Sequence, residues 1–278
     1  MVSVGTVWDR AVDFVRDHLA AVMPVLLVTQ FAAPAISGSL AGVRADATGG
    51  TAAGLGLLSV ATTIISLWGA LYLVGFAAQP SGREHRDEAM RIATGRFLPL
   101  IGVSIVLLVV LGILALPGVL IAVSSGFDFM AVANGTAMQS AEFAKLGSAL
   151  LYFVVLALFV LWASARLLPI NAVVAMERRG LGAIPRAFAL TRGLTWKLIG
   201  LIILYGIVTG VAVSAAQFVF GAVVALILGD DGGLSMATVA GSIAVAAVSA
   251  VLALYQSAFI GKLYRAIVGE QDDVAVFA

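Results

Sequence analysis

The chain has 278 residues, 62% hydrophobic and 11% charged, with a formal net charge of +1 and a mean hydropathy of +1.10. Soluble domains carry about 25% charged and about 45–50% apolar residues, so a soluble fold is excluded. So is a nucleic-acid groove, which needs a continuous basic surface. The sequence has no cysteine, which removes disulfides, thiolate metal ligands and cysteine nucleophiles, and only two separated histidines, His18 and His85.

Residues 1–18 are too polar to enter a bilayer. Trp8, Val12, Val15 and Leu19 recur at helical spacing, with Asp9, Arg10, Asp13, Arg16 and Asp17 opposite them. Thr6 and Asp9 have capping-box spacing, and the pattern predicts an amphipathic helix on the membrane surface. The first span is predicted over residues 19–41. Ala33-Pro34-Ala35 has the form of a signal-peptide cleavage site, but three acids precede the apolar run, which favours a retained helix.

A short Gly, Thr and Ala loop over 43–53 leads to a second span at 55–78, ended by Pro80. Residues 79–97 form the next polar segment. Ser81 and Glu84 make a capping box, and Gly95 is a natural C-terminal stop for the charged helix between them. The third span, 98–123, contains Pro117. That proline must free a carbonyl for a neighbouring helix or water to satisfy. A polar loop from Ser124 to Lys145 precedes the fourth span at 146–165.

Residues 166–197 carry six of the sixteen Lys and Arg side chains: Arg166, Arg178, Arg179, Arg186, Arg192 and Lys197. An apolar continuation behind Pro169 runs to Met176. A short helix is predicted over residues 186–192, stopped by Gly193, and Trp196 forms an interfacial anchor beside Lys197. The fifth span, 198–228, is about 46 Å long at about 1.5 Å per residue. It must tilt, break or project from a hydrocarbon core of about 30 Å. Asp230 to Gly233 is a tight acidic turn, the sixth span covers 238–260, and residues 266–278 form a C-terminal tail.

With six spans, fourteen of the sixteen basic residues fall on one side, and only Arg44 and Lys145 on the other. The positive-inside rule then places both termini in the cytoplasm of an inner, plasma-type membrane. The predicted fold class is an all-α polytopic helical bundle, a single membrane domain with six transmembrane helices and about three cytoplasmic interfacial amphipathic helices. Gly95-Arg-Phe-Leu-Pro-Leu-Ile-Gly102 and Gly193-Leu-Thr-Trp-Lys-Leu-Ile-Gly200 align without gaps. They suggest three copies of one unit: surface helix, span out, span back.

Arg166 interrupts apolar sequence, where an arginine costs about 2.5–3.5 kcal/mol at a span centre. If the fourth helix ends at Ala165, Arg166 snorkels to the interface. If the helix continues through Pro169, Arg166 needs a lipid phosphate, a carbonyl, Gln217 or Gln256. All six basic residues of the segment are candidates for anionic lipid headgroups, at about 1 kcal/mol per charge near the surface. Gly206, Gly210 and Ser214 line one face of the fifth span and permit close helix approach, within the chain by default and between copies as the alternative. The polar residues inside spans (Gln30, Thr62, Thr63, Ser66, Gln217 and Gln256) are expected to bond between helices. No catalytic residue, metal ligand or cofactor motif is recognised.

Arg166-Leu167, Glu177 and Ala187-x-Ala-Leu-Thr-Arg-Gly-x-x-Trp196 resemble the membrane domain found with bacterial glycerophosphoryl diester phosphodiesterases, sharply over about thirty residues and by topology beyond them. The phosphodiesterase activity of such fused proteins belongs to a separate soluble barrel, which these residues do not contain. The resemblance therefore implies membrane location and lipid proximity, not hydrolysis. The expectation is a non-enzymatic lipid-interacting or scaffolding domain. Its expected partners are membrane lipids, with a homo-oligomer or another membrane protein as further candidates and no nucleic acid. A permease for an uncharged or amphiphilic solute is the alternative.

Overall fold

The computed structural model describes residues 3–80, 85–124, 147–228 and 236–276. Among them every regular element is helical. Six helices are long and apolar enough to cross a membrane: Val4–Ser39, Gly49–Ala77, Arg86–Ser124, Gly147–Glu177, Thr195–Val224 and Thr238–Gly269. The chain is an all-α multi-pass membrane bundle, a form in which each segment bonds its own backbone without water. The predicted Ser81–Glu84 capping box, the 124–145 loop (but for Ser124 itself) and the Asp230–Gly233 turn lie outside the described residues.

The elements are α1 (Val4–Leu26), a π-helical turn (Leu27–Ala32), α2 (Ala33–Ser39), α3 (Ala41–Asp46), α4 (Gly49–Ala77) and α5 (Arg86–Ser124). After these come α6 (Gly147–Leu167), α7 (Ile170–Glu177), α8 (Ala183–Leu190), α9 (Thr195–Leu228) and α10 (Met236–Val276). Helix α10 is the hub, packing against α1, α2, α4, α7 and α9, while α5 joins α4, α6 and α7.

Two expected surface helices are not separate elements. The polar N-terminal stretch runs into the first span as one helix, and Val7, Ala11, Phe14 and Val15 on its apolar side are buried in the core. Trp8 stacks on Tyr255 with ring centroids 6.0 Å apart, and Lys262 Nζ sits 4.6 Å over the Phe14 ring. The charged helix before the third span likewise continues through Gly95 and Pro99 into it. Its buried stripe of Ala89, Ala93, Leu100 and Val103 outweighs the local stop signal.

Burial is concentrated at one end of the bundle. Helix α4 is buried without interruption from Leu71 through Ala77, and α10 from Ser257 to Tyr264. The two cross so closely that a Cβ on Gly261 would lie 2.8 Å from backbone atoms of Ala77 and Ala78. Towards the other end the spans expose apolar surface; α5 is exposed on all sides from Leu108 to Ile113. Such surface suits an apolar surrounding, such as lipid tails, which are as apolar as leucine. The buried end is also where the polar segments gather. The Gln79 side chain accepts from His85 N (2.7 Å) and donates to His85 O (3.1 Å), closing the turn between α4 and α5.

The π-helical turn has an identifiable cause. Thr29 and Gln30 bond across to α4 through the wide turn: Gln30 Nε2 donates to Ser66 O and Ser66 Oγ to Thr29 O, each at 2.8 Å. Gly69 supplies the space, since any Cβ there would overlap the Thr29 side chain. Thr62 and Thr63, by contrast, bond back to Ser59 O within their own helix. In the third span, Tyr152 OH donates to Leu114 O at 2.6 Å, next to the carbonyl that Pro117 cannot engage.

Candidate functional site

The basic segment between the fourth and fifth spans folds onto the buried end. Pro169 carries no N–H and breaks the helix, so α6 stops at Leu167 and α7 resumes at Ile170. Neither simple alternative from the sequence describes this. The helix does not end at Ala165, nor does it run unbroken to Met176. Ala172, Val173, Val174 and Ala175 are buried, so α7 is core.

Arg166 sits at the break. Its Nη1 donates to Phe188 O at 3.2 Å, and its guanidinium carbon lies 5.8 Å from the Trp162 ring centroid and 5.7 Å from that of Phe188. Phe188 is near the C-terminal end of α8, where carbonyls lack helical partners and a cation is favoured. Thr191 Oγ1 completes the junction, donating within reach of Arg166 O (3.1 Å) and Ala187 O (2.9 Å). Arg166 Nε is buried with no hydrogen-bond partner among the described residues. Of the partners considered from sequence, the carbonyl is the one it uses; neither Gln217 nor Gln256 is at Arg166. Tyr205 OH donates to Gln256 Oε1 at 3.3 Å, and Gln217 lies against Gly241.

Glu177, the one acid in the 166–197 stretch, ends α7 and organises the rest. Arg186 Nε donates to its two carboxylate oxygens at 3.0 and 3.1 Å, Arg179 Nε lies 3.1 Å from Oε2, and Tyr264 OH donates to Oε1 at 3.3 Å. One carboxylate thus ties α7 to α8 and α10. Sequence spacing places Glu177 too far from Arg166 to pair with it, and nothing in the pattern points to Tyr264. The signal for the hub is a lone acid among six cations.

The six expected headgroup residues therefore divide. Arg166 and Arg186 are held by protein, Arg179 is half-exposed beside Glu177, and Arg178, Arg192 and Lys197 are exposed. Helix α8 covers Ala183–Leu190, earlier than predicted, and Gly193 at φ +88° turns the chain into α9 as its stop role requires. Trp196, the expected interfacial anchor, is 84% exposed beside Lys197. Gly95, the partner of Gly193 in the aligned repeat, lies inside a continuous helix instead.

Among the described residues, Gly206, Gly210 and Ser214 pack against no other element. All three are exposed, and nothing lies within 4 Å of a Cβ built on either glycine. The packed side of α9 runs through Tyr205, Ala212 and Ala216. Ser214 stands about 200° around the helix from Ala212 and Ala216, and each glycine is offset from Tyr205 and Ala212.

Two cavities adjoin the segment. One, of about 90 Å³, is almost wholly apolar and lies among Trp8, Leu168, Ile202, Tyr205, Gln256 and Phe259. The other, of about 280 Å³, opens between the start of α5 and the end of α7, lined by Glu88, Arg91, Ile92, Gly95, Arg96, Ala175, Met176 and Arg178. Among the described residues no group of three or more His, Cys, Asp or Glu side chains is placed to hold a metal. Comparison with protein-family models, curated proteins and solved structures returns no match for this chain.

Proposed function

We propose that this protein is a non-enzymatic, lipid-interacting or scaffolding domain of the inner (plasma) membrane, with both termini in the cytoplasm. The observation that carries the reading is the pairing of two surfaces. Long exposed apolar faces on α5, α6 and α9 meet, at one end, a cluster of arginines of which Arg178 and Arg192 point to solvent. Headgroups of anionic lipids are the ligands this juxtaposition suits, each exposed cation contributing about 1 kcal/mol at a charged surface. The resemblance of the Arg166–Trp196 stretch to the membrane domain found with bacterial glycerophosphoryl diester phosphodiesterases agrees with lipid proximity. The scaffolding half rests on the outward Gly206, Gly210 and Ser214, a face open to a helix of a second copy or another membrane protein.

The permease alternative draws less support. It assigns solute contact to Arg166, whose guanidinium is engaged by Phe188 O and two aromatic rings. Native mass spectrometry of the purified protein tests the choice. Retention of anionic over zwitterionic phospholipid, reduced by Arg178→Ala plus Arg179→Ala, is expected. Solute counterflow in proteoliposomes that is abolished by Arg166→Gln would favour the permease.

A further inference from the structure

The 280 Å³ cavity between α5 and α7 has the chemistry of an anion site. Three guanidiniums line it, Arg91, Arg96 and Arg178, against one carboxylate, Glu88. That carboxylate is already neutralised: Arg91 Nε and Nη2 donate to its two oxygens at 2.9 and 2.8 Å. Arg91 keeps further N–H groups for another acceptor, since a guanidinium has five. Arg96 is half-buried, Arg178 is exposed, and neither makes a hydrogen bond or ion pair among the described residues. The charge of Arg178 also acts on Glu88, so the lining presents one uncommitted guanidinium, Arg96, with the free N–H groups of Arg91 and Arg178 beside it.

Two further features point to a ligand. Arg178 has φ +55°, the one non-glycine residue with positive φ among the described residues. The left-handed region is unfavourable for an ordinary residue and is the usual place for glycine after a helix. Strained residues of this kind cluster at ligand clamps, and Arg178 is one of the residues that line the cavity. Gly95 stands one turn from Arg91 with nothing within 4 Å of where its Cβ would be. The cavity lining has no side chain at that point.

Position selects the kind of anion. Leu98, seven residues beyond Arg91 and so on the same side of α5, is 79% exposed and begins the apolar face of the third span. A molecule with acyl chains along that face and its phosphate at Arg91, in the arginine-lined cavity, satisfies both surfaces at once. We propose that the α5–α7 cavity binds the phosphate group of an anionic phospholipid, held by Arg91, Arg96 and Arg178. This rests on the lipid-interacting reading above and gives it a specific site.

The test uses the full-length protein in detergent, titrated with phosphatidylglycerol, phosphatidylcholine or inorganic phosphate and read by native mass spectrometry, with thermal unfolding measured in parallel. Arg96→Gln and Arg178→Gly should each weaken phosphatidylglycerol retention about fivefold. Arg178→Gly should do so while leaving the unfolding temperature equal or higher, because glycine relieves the left-handed strain. Gly95→Leu fills the cavity without changing any charge and should weaken retention at least as much, while Gly95→Ala should retain lipid. If Gly95→Leu and Arg178→Gly both bind like the native protein, the site is overturned, and the broader lipid reading survives on the remaining exposed cations. If the native protein shows no preference for phosphatidylglycerol, both fall. Saturable phosphate binding lost in the same variants, with lipid retention unchanged, would assign the cavity to a soluble phosphate and overturn the lipid assignment.

Discussion

Arg186 donates through Nε to both carboxylate oxygens of Glu177, at 3.0 and 3.1 Å, across the turn that joins α7 to α8. The same carboxylate accepts from Tyr264 on α10, so the basic segment is fastened to the hub helix. Hydrogen bonds to charged groups contribute about 1.5–3 kcal/mol when partly buried. Glu177→Gln should therefore destabilise the protein by an amount in that range. A double-mutant cycle with Arg186→Gln should return a coupling of about 1–3 kcal/mol. The corresponding cycle with the half-exposed Arg179 should return less than about 1 kcal/mol, because solvent screens the pair. Equal couplings would mean that Arg186 is no better engaged than a surface cation.

Glycines at two places in the bundle should respond in opposite ways. A Cβ at Gly261 meets the backbone of Ala77 and Ala78, which no rotamer change can move. Gly261→Ala should cost roughly 1–3 kcal/mol by forcing α4 and α10 apart. Gly206→Ala meets nothing, and should leave stability within about 1 kcal/mol of native, on the favourable side. Unfolding midpoints in mixed micelles decide this, and a loss at Gly206 matching that at Gly261 would place a packed partner against α9.

At the α6–α8 junction, Thr191 is fully buried and its hydroxyl lies between the carbonyls of Arg166 and Ala187. Thr191→Val keeps the shape and removes the donor, and should cost about 0.5–1.5 kcal/mol. Arg166→Lys keeps the charge and loses the planar group between Trp162 and Phe188. It should be destabilising by about 1–2 kcal/mol. If Arg166→Lys were neutral while Arg166→Gln abolished lipid binding, Arg166 would be a headgroup ligand and not a junction residue.

Much of this fold is legible in the sequence because a membrane span has one strong signal, a long run of apolar residues, and each of the six runs is a helix here. Boundaries are harder to read for a physical reason. Gly95 and Pro99 look like stops, yet Ala89, Ala93, Leu100 and Val103 form one buried stripe, and packing along it holds α5 together. The same holds for residues 4–18, whose apolar side meets protein, which periodicity cannot distinguish from lipid. The stretch 166–197 is visible as a basic segment, but which cations are already engaged depends on contacts between distant elements. Glu177 reaches Tyr264 across 87 positions, and Arg96 meets Arg178 only because α5 packs on α7. The small-residue face of α9 is legible as a stripe, while its outward direction is set by how α9 lies on α10.

The site, the lipid reading and the orientation all require the basic segments to share the cytoplasmic face. The chain has no cysteine, so single substitutions Ser140→Cys and Gly180→Cys each give one reactive thiol. Labelling intact cells with a membrane-impermeant maleimide, before and after permeabilisation, is the decisive measurement. Position 140 should label in intact cells and position 180 only after permeabilisation. Labelling of both positions from the same side, or of position 180 alone in intact cells, would contradict the six-span, cytoplasm-facing arrangement.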